Sequence, residues 1–292
     1  MTGTLYIVAT PIGNLEDISP RAARTLSEVD FIAAEDTRVT LKLLNHLGIK
    51  KHLMSYHAHN SSHSGERILE RLSSGENCAL VTDAGTPAIS DPGETLAAMC
   101  ALAGAEVIAI PGPCAALSAL QVSGLPSGRF TFEGFLSTSR KSRAAHLEEL
   151  RNERRTMIFY EAPHKLLRTL RDLRGALGDR RASISRELTK LHEQTLRFTL
   201  ADAISHFEAT PPRGEFVIVL EGARETAPET FDIERALELV ETYRGGGMKL
   251  RDAAQRVSAE TGAPKNLLYN LASGSAARGL RRPDASPEDR GD

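Results

Sequence analysis

The feature that most constrains this chain is an alternation. Short apolar runs at residues 4–9, 30–34, 53–56, 78–82 and 106–110 are separated by helix-like stretches at 20–28, 39–47, 64–72, 94–102 and 115–122. Each run has the length of a buried strand, and each stretch between runs has the spacing of an amphipathic helix. Strands and helices in that order build a mostly parallel sheet covered on both faces. The sequence Gly124-Leu125-Pro126-Ser127-Gly128 then interrupts the pattern and reads as a linker.

Beyond the linker the pattern is less regular. Strands are expected at 130–135, 156–160, 183–187, 193–200 and 215–220, with helices at 140–151 and 163–173. Two consecutive strands between 183 and 200, with no helix to connect them, predict a mixed sheet. Further on, 231–243 reads as a helix ended by Gly245-Gly246-Gly247. Helices at 249–260 and 265–272 flank a tight turn at 261–264, a helix-turn-helix-like unit. The expected fold class is α/β: two α/β domains at 1–124 and 125–224, a small helical module at 231–278, and a disordered charged tail at 279–292.

Composition excludes several classes. With 41% hydrophobic and 25% charged residues the chain reads as an ordinary globular protein. Its longest apolar run, 96–105, stops at Glu106, far short of the ~20 residues that a membrane-spanning helix needs. No basic stretch precedes the first apolar run, so no secretory signal is expected. Cys78, Cys100 and Cys114 show neither metal-type spacing nor a disulfide framework, which fits a reducing cytoplasm. The net charge of −2 hides an asymmetry: residues 1–124 carry eight Lys/Arg against thirteen Asp/Glu, and residues 138–197 carry fifteen against eight. The basic stretch suits a polyanion such as RNA, or a solvated helical face.

Chemistry is expected where loops follow strands, because ligands of open α/β sheets gather beyond the carboxyl ends. The loops at 9–14, 82–93 and 110–115 contain Gly and Pro, the carboxylates Asp83 and Asp91, and neither Lys nor Arg. None is GxGxxG or GxxxxGK[ST], so a dinucleotide site or a P-loop has no support. Such loops suit a folded, zwitterionic ligand read by backbone amides and carbonyls; a triphosphate would want basic side chains. His57, His59 and His63 lack the spacing and partners of a metal site, and no metal is expected.

The motifs ATPIGNLEDIS, AEDTR, TDAGTPAISDPG, PGP followed by Cys-Ala, FEGFL, YEAPHK and RELTK resemble, as a set, the signature of the ribosomal RNA small subunit methyltransferase I family. These are 2′-O-ribose methyltransferases of the tetrapyrrole-methylase (class III) fold. The resemblance runs over residues 3–222, and the helical module resembles the family's helix-turn-helix extension. Cys114 departs from the pattern, where Ser is more usual. The resemblance implies S-adenosylmethionine bound, folded, between the two α/β domains. Pro11 and Gly13 would border it. Asp83, Gly85, Thr86 and Pro87 would receive its amino-acid and ribose portion, with Cys114 and Ala115 after the PGP turn. Tyr160, Ala162, Leu188 and Phe216 would close the adenine side. The implied substrate is a cytidine in the decoding region of 16S small-subunit rRNA, naked or in the assembled subunit, and the implied assembly is a homodimer.

A ribose hydroxyl is a poor nucleophile while protonated, so a base or a polarising cation is expected beside the methyl group. Asp36, Glu161, Glu187 and Lys190 lie in the family-like motifs. Lys190 could act as a base only with a lowered pKa; otherwise it would orient the 2′-oxygen or pair with phosphate. Ion pairs Asp36–Arg38 and Glu187–Lys190 that merely hold loops are equally open. Arg38, Arg140, Lys141 and Arg143 are the expected RNA contacts, with Arg151, Arg154 and Arg155 behind them. Two other readings compete: a methyltransferase acting on a corrinoid or porphyrinogen precursor, and a ligand-sensing DNA-binding regulator. The basic stretch disfavours the former. The latter needs a basic recognition helix, and 265–272 offers one Lys and no Arg, so neither DNA nor a membrane is an expected partner.

Overall fold

The computed structural model describes residues 2–58, 60–224 and 232–273. The chain divides into two compact units, residues 1–224 and 225–292. In the first unit, β1 (Thr4–Val8), β2 (Phe31–Ala34), β3 (His52–Ser55), β4 (Cys78–Val81) and β5 (Glu106–Ile110) pair in parallel in the order β3-β2-β4-β1-β5. Side-chain alternation explains why these strands read as continuous apolar runs. Ile32, Ala34, Ala79 and Val81 meet Ala22 and Leu26 of α1 (Pro20–Glu28) and Leu43 and Leu44 of α2 (Thr37–His46). Phe31, Ala33, Cys78 and Leu80 point the other way, onto Ile68 and Leu72 of α3 (Ser61–Ser73) and Leu96 and Cys100 of α4 (Glu94–Leu102). The doubly covered sheet expected from the sequence is present, and it is wholly parallel.

The next helix, α5 (Ala115–Ser123), does not cover this sheet. Its Ala116, Ala119 and Leu120 pack on Ile158, Val217 and Val219 of a second sheet. That sheet comprises β6 (Phe130–Gly134), β7 (Thr156–Glu161), β8 (Arg181–Arg186), β9 (Gln194–Thr199) and β10 (Phe216–Leu220), in the order β6-β7-β10-β8-β9. Only the β6–β7 pair is parallel, so the sheet is mixed, as the unconnected strands required. Its other face is covered by α6 (Arg140–Glu149), α7 (Pro163–Leu177) and α8 (Leu200–Ala209), through leucines 147, 166, 170, 173 and 200 and Phe207. Helix α8 was not expected. The strand read as 193–200 ends at Thr199, whose hydroxyl accepts the Asp202 N–H at 3.2 Å and caps α8 with no intervening turn.

In the second unit, α9 (Ile233–Gly245), α10 (Leu250–Thr261) and α11 (Lys265–Ala272) enclose a small core of Ala236, Val240, Ala253, Ala254, Val257 and Leu268. Residues 231 and 274–278 of the expected module, and the expected disordered tail 279–292, lie outside the described residues. Among the described residues no helix is long and apolar enough to cross a membrane.

Candidate active site

Strands β4, β1 and β5 are neighbours, so their following loops, at 82–93, 9–19 and 111–114, meet at one sheet edge. Backbone bonds tie them together. Thr10 and Gly85 exchange N–H···O bonds of 2.8 and 3.0 Å, and the Thr86 hydroxyl donates to the Pro113 carbonyl at 3.0 Å. Facing them are the end of β7, the first turn of α7, and the start of β10. Between the two sets lies a cavity of about 540 Å³, within the ~300–1,000 Å³ of small-molecule sites.

Of the expected cofactor contacts, Gly85, Thr86, Cys114, Ala115, Tyr160, Ala162, Leu188 and Phe216 line this cavity, and so does Glu161. Pro11, Gly13, Asp83 and Pro87 do not; Ile12, between the first two, does. The sequence reading missed Ile89, Phe135, His164, Glu215 and Val217, which also form the wall. Ile89 lay inside a quoted loop, and Phe135 and His164 inside the quoted motifs FEGFL and YEAPHK, without being singled out; Glu215 and Val217 lie at the start of the last strand of the second sheet. Tyr160 anchors the aromatic side. Its hydroxyl accepts the Ala116 N–H at 3.0 Å, and Phe132 and Phe135 meet its ring edge-on at 5.1 and 5.6 Å. Burial, reinforced by the nearby Cys114, pushes its phenol up to about 12.

Acidic groups crowd the first sheet's side. Burial, reinforced by the charges of Glu35 and Asp83, pushes the Asp91 carboxyl up to about 6. Burial also raises Glu35. Asp36 behaves oppositely: the Arg38 guanidinium, bonded to both its oxygens, holds it at about 2. Asp36 also accepts the Arg38 N–H at 2.8 Å and caps α2, so it is spent on structure and does not line the cavity. Asp91 was read only as a loop carboxylate, because nothing in the sequence reports its burial.

The loop after β8 crosses to the first sheet's loops. Lys190 Nζ donates to Glu187 Oε1 at 3.0 Å and to Glu215 Oε2 at 3.1 Å, and of these three Glu215 lines the cavity. Burial draws the Lys190 pKa down, but the bonds to the two carboxylates outweigh it and the ammonium lies above the ordinary lysine value. Lys190 is therefore a fixed cation, and the conditional base role falls. Glu187 and Thr189 hold positive φ, +51° and +67°, strain of the kind found at functional sites.

The profile of the tetrapyrrole (corrin/porphyrin) methylases matches residues 4–204. The chain belongs to the tetrapyrrole methylase family. Among curated members, it is 48% identical over 270 residues to the ribosomal RNA small subunit methyltransferase I of Synechocystis sp., covering 92% of this chain and 97% of that one. The enzyme of the same name from Thermotoga maritima is 50% identical over 220 residues, 75% of this methylase and 99% of the relative. Among solved structures, uroporphyrin-III C-methyltransferase from Thermus thermophilus, complexed with S-adenosylhomocysteine, superposes with a TM-score of 0.53 at 15% identity, over 74% of this chain and 97% of that one. The methyltransferase CobJ gives 0.57 at 19% identity, over 78% and 98%. At such identities the structures establish the fold alone.

The expected RNA contacts of this methylase separate by exposure. Arg143 is buried, 6% exposed, and bonded to Asp172 and Thr169, which withdraws it from any surface. Charge counting could not see this, since burial depends on how α6 packs on α7. Arg38 is exposed but committed to Asp36, Arg151 pairs with Glu148, and Arg155 pairs with Glu153. Arg140 and Lys141 are exposed at the start of α6. His59 lies outside the described residues, and among those described no group of three or more His, Cys, Asp or Glu could hold a metal.

Proposed function

We propose that this methylase transfers the methyl group of S-adenosylmethionine to the ribose 2′-oxygen of a cytidine in the decoding region of 16S rRNA. The observation that carries the cofactor is the cavity wall. It presents Asp91, Glu161 and Glu215 and neither Lys nor Arg, together with residues 84–86 of the loop after β4. This donor set fits a cationic nucleoside and repels a polyphosphate. The rRNA acceptor rests on relatives that align along most of the chain and are named ribosomal RNA small subunit methyltransferase I; the cytidine and its 2′-oxygen rest on the motif resemblance. A corrin or porphyrin precursor would need neither the basic stretch nor the extra helices. The homodimer rests on the family resemblance, and the cytoplasmic location on the cysteine pattern.

When bound, S-adenosylmethionine supplies an already activated methyl group, so the chain's task is to place the acceptor and manage its proton. Asp91, with its pKa near 6, takes the hydroxyl proton, and the Lys190 ammonium stabilises the oxygen that remains. The test of the function is tritium transfer from labelled S-adenosylmethionine to small ribosomal subunits that lack the modification. Label at a single alkali-resistant position supports the reading; none, or label lost on alkaline cleavage, overturns it.

The Asp91 role has a pH signature. Because its carboxyl sits near 6, the base is mostly ionised at pH 7.5 and protonated at pH 5. The single-turnover rate should fall about tenfold per pH unit below that value. Asp91→Asn should be slow and flat across the same range. An acid limb that persists in Asp91→Asn assigns the proton elsewhere.

Arg140 and Lys141 are proposed to touch phosphate. Replacing both with Gln should weaken rRNA binding and reduce the slope of log affinity against log salt by about two. Cofactor affinity should not move. An unchanged slope in a filter-binding titration removes the two residues from the interface.

A further inference from the structure

Three buried side chains join the cavity wall to the interior of the second sheet's helical layer. Glu161, Thr169 and Arg143 are 4%, 1% and 6% exposed. The Thr169 hydroxyl donates to Glu161 Oε2, Arg143 Nη2 donates to the Thr169 hydroxyl at 2.8 Å, and Arg143 Nε donates to Asp172 Oδ2 at 2.6 Å. The direction of these bonds is fixed by chemistry. Guanidinium has donors only and a carboxylate acceptors only, so the hydroxyl between them accepts from one and donates to the other. Glu161 Oε1 is held as well, by the Ala162 N–H at 2.9 Å.

A buried, charged arginine is costly unless it is paired, and an apolar residue would fill the space between α6 and α7 more simply. What the arginine adds is polarity aimed through Thr169 at one carboxylate. That carboxylate sits where β7 passes into α7, and it lines the cavity. Each of its oxygens already accepts one hydrogen bond from the protein, and each has capacity for another.

We propose that Thr169 and Arg143 are positioning residues that hold the Glu161 carboxylate toward the cavity, where it accepts a hydrogen bond from an N–H or O–H donor of the bound nucleoside. The inference rests on the proposed cofactor but not on the RNA acceptor, so it is tested by binding alone.

The experiment is calorimetric titration of the full chain with S-adenosylhomocysteine, with a melting curve for each variant. Thr169→Val keeps the volume and deletes the relay; it should weaken binding about tenfold, and Thr169→Ser should restore it to within about twofold. Glu161→Gln leaves Arg143 and Thr169 intact and should lose a similar factor. It carries the test should Thr169→Val fail to fold. In the Glu161→Gln background, Thr169→Val should add little, because the two act through one group. If Thr169→Val or Glu161→Gln lowers the melting temperature yet binds S-adenosylhomocysteine as the native chain does, the relay only fastens α6 to α7 and the proposal is overturned. If the native chain binds no S-adenosylhomocysteine at all, the proposed cofactor itself fails, a different and recognisable result.

Discussion

Lys190→Ala should lower the rate of methyl transfer by about 10²–10³-fold and leave the affinity for S-adenosylmethionine nearly unchanged. The size follows from what the ammonium is. Two carboxylates hold it, at 3.0 and 3.1 Å, and one of them, Glu215, also lines the cavity. The pair of acids overrides the effect of burial, so the group stays charged throughout the working pH range. A fixed cation bonded to a cavity-lining carboxylate is worth most where negative charge develops, on the 2′-oxygen as its proton leaves, and little in the ground state. The loss should therefore appear in the single-turnover rate and not in cofactor binding. Equal turnover of variant and native chain at saturating RNA would remove Lys190 from the chemistry. Lys190→Ala should also leave the acid limb assigned to Asp91 in place, since the two groups handle different partners of the same bond.

How much of this could be read in advance varied with the physics. Strands β2 and β4 were legible because burial on both faces leaves an apolar run, as in Phe31–Ala34 and Cys78–Val81. The loops that follow β1, β4 and β5 were legible because Gly and Pro concentrate there. Helix α8 was not, since Thr199 ends a strand and starts a helix in one residue, leaving no turn to notice. Nor does periodicity say which sheet a helix will cover, as α5 demonstrates. The cavity residues taken from the motifs, such as Gly85 and Tyr160, were found. Phe135 and Glu215 were not: Phe135 lay inside a quoted motif with nothing to mark that its ring would meet Tyr160, and Glu215 lay outside every motif. Arg143 was misread for the same reason in reverse: its charge is visible in the sequence and its enclosure is not.

Gly13→Ala should reproduce much of the Lys190→Ala defect without touching the cavity. Gly13 does not line it; it lies beneath the Lys190 side chain. A Cβ there would overlap Lys190 Cγ and stand 3.1 Å from its Cε and 3.0 Å from Thr189 Oγ1. The lysine stem has little room to yield. Its head is fixed by Glu187 and Glu215, and its base belongs to a loop already held at positive φ at Glu187 and Thr189. Glu187, which holds the lysine head, is itself hemmed in, since a Cβ on Gly214, at φ +84°, would come within 2.5 Å of Glu187 Cγ. The added methyl group must therefore displace the ammonium, and a displacement of about 1 Å from a reacting group can cost 10²-fold in rate. Folding should suffer little, because Gly13 is exposed and its backbone is free of the left-handed region. The decisive comparison is the double variant. With the lysine stem removed, nothing remains for the methyl group to push, so Gly13→Ala should change the rate of Lys190→Ala by less than about twofold. Single-turnover rates of the native chain, the two single variants and the double variant measure this directly. Losses that multiply would mean that Gly13 acts on the cofactor itself, as the family resemblance first suggested, and not through the cation above it.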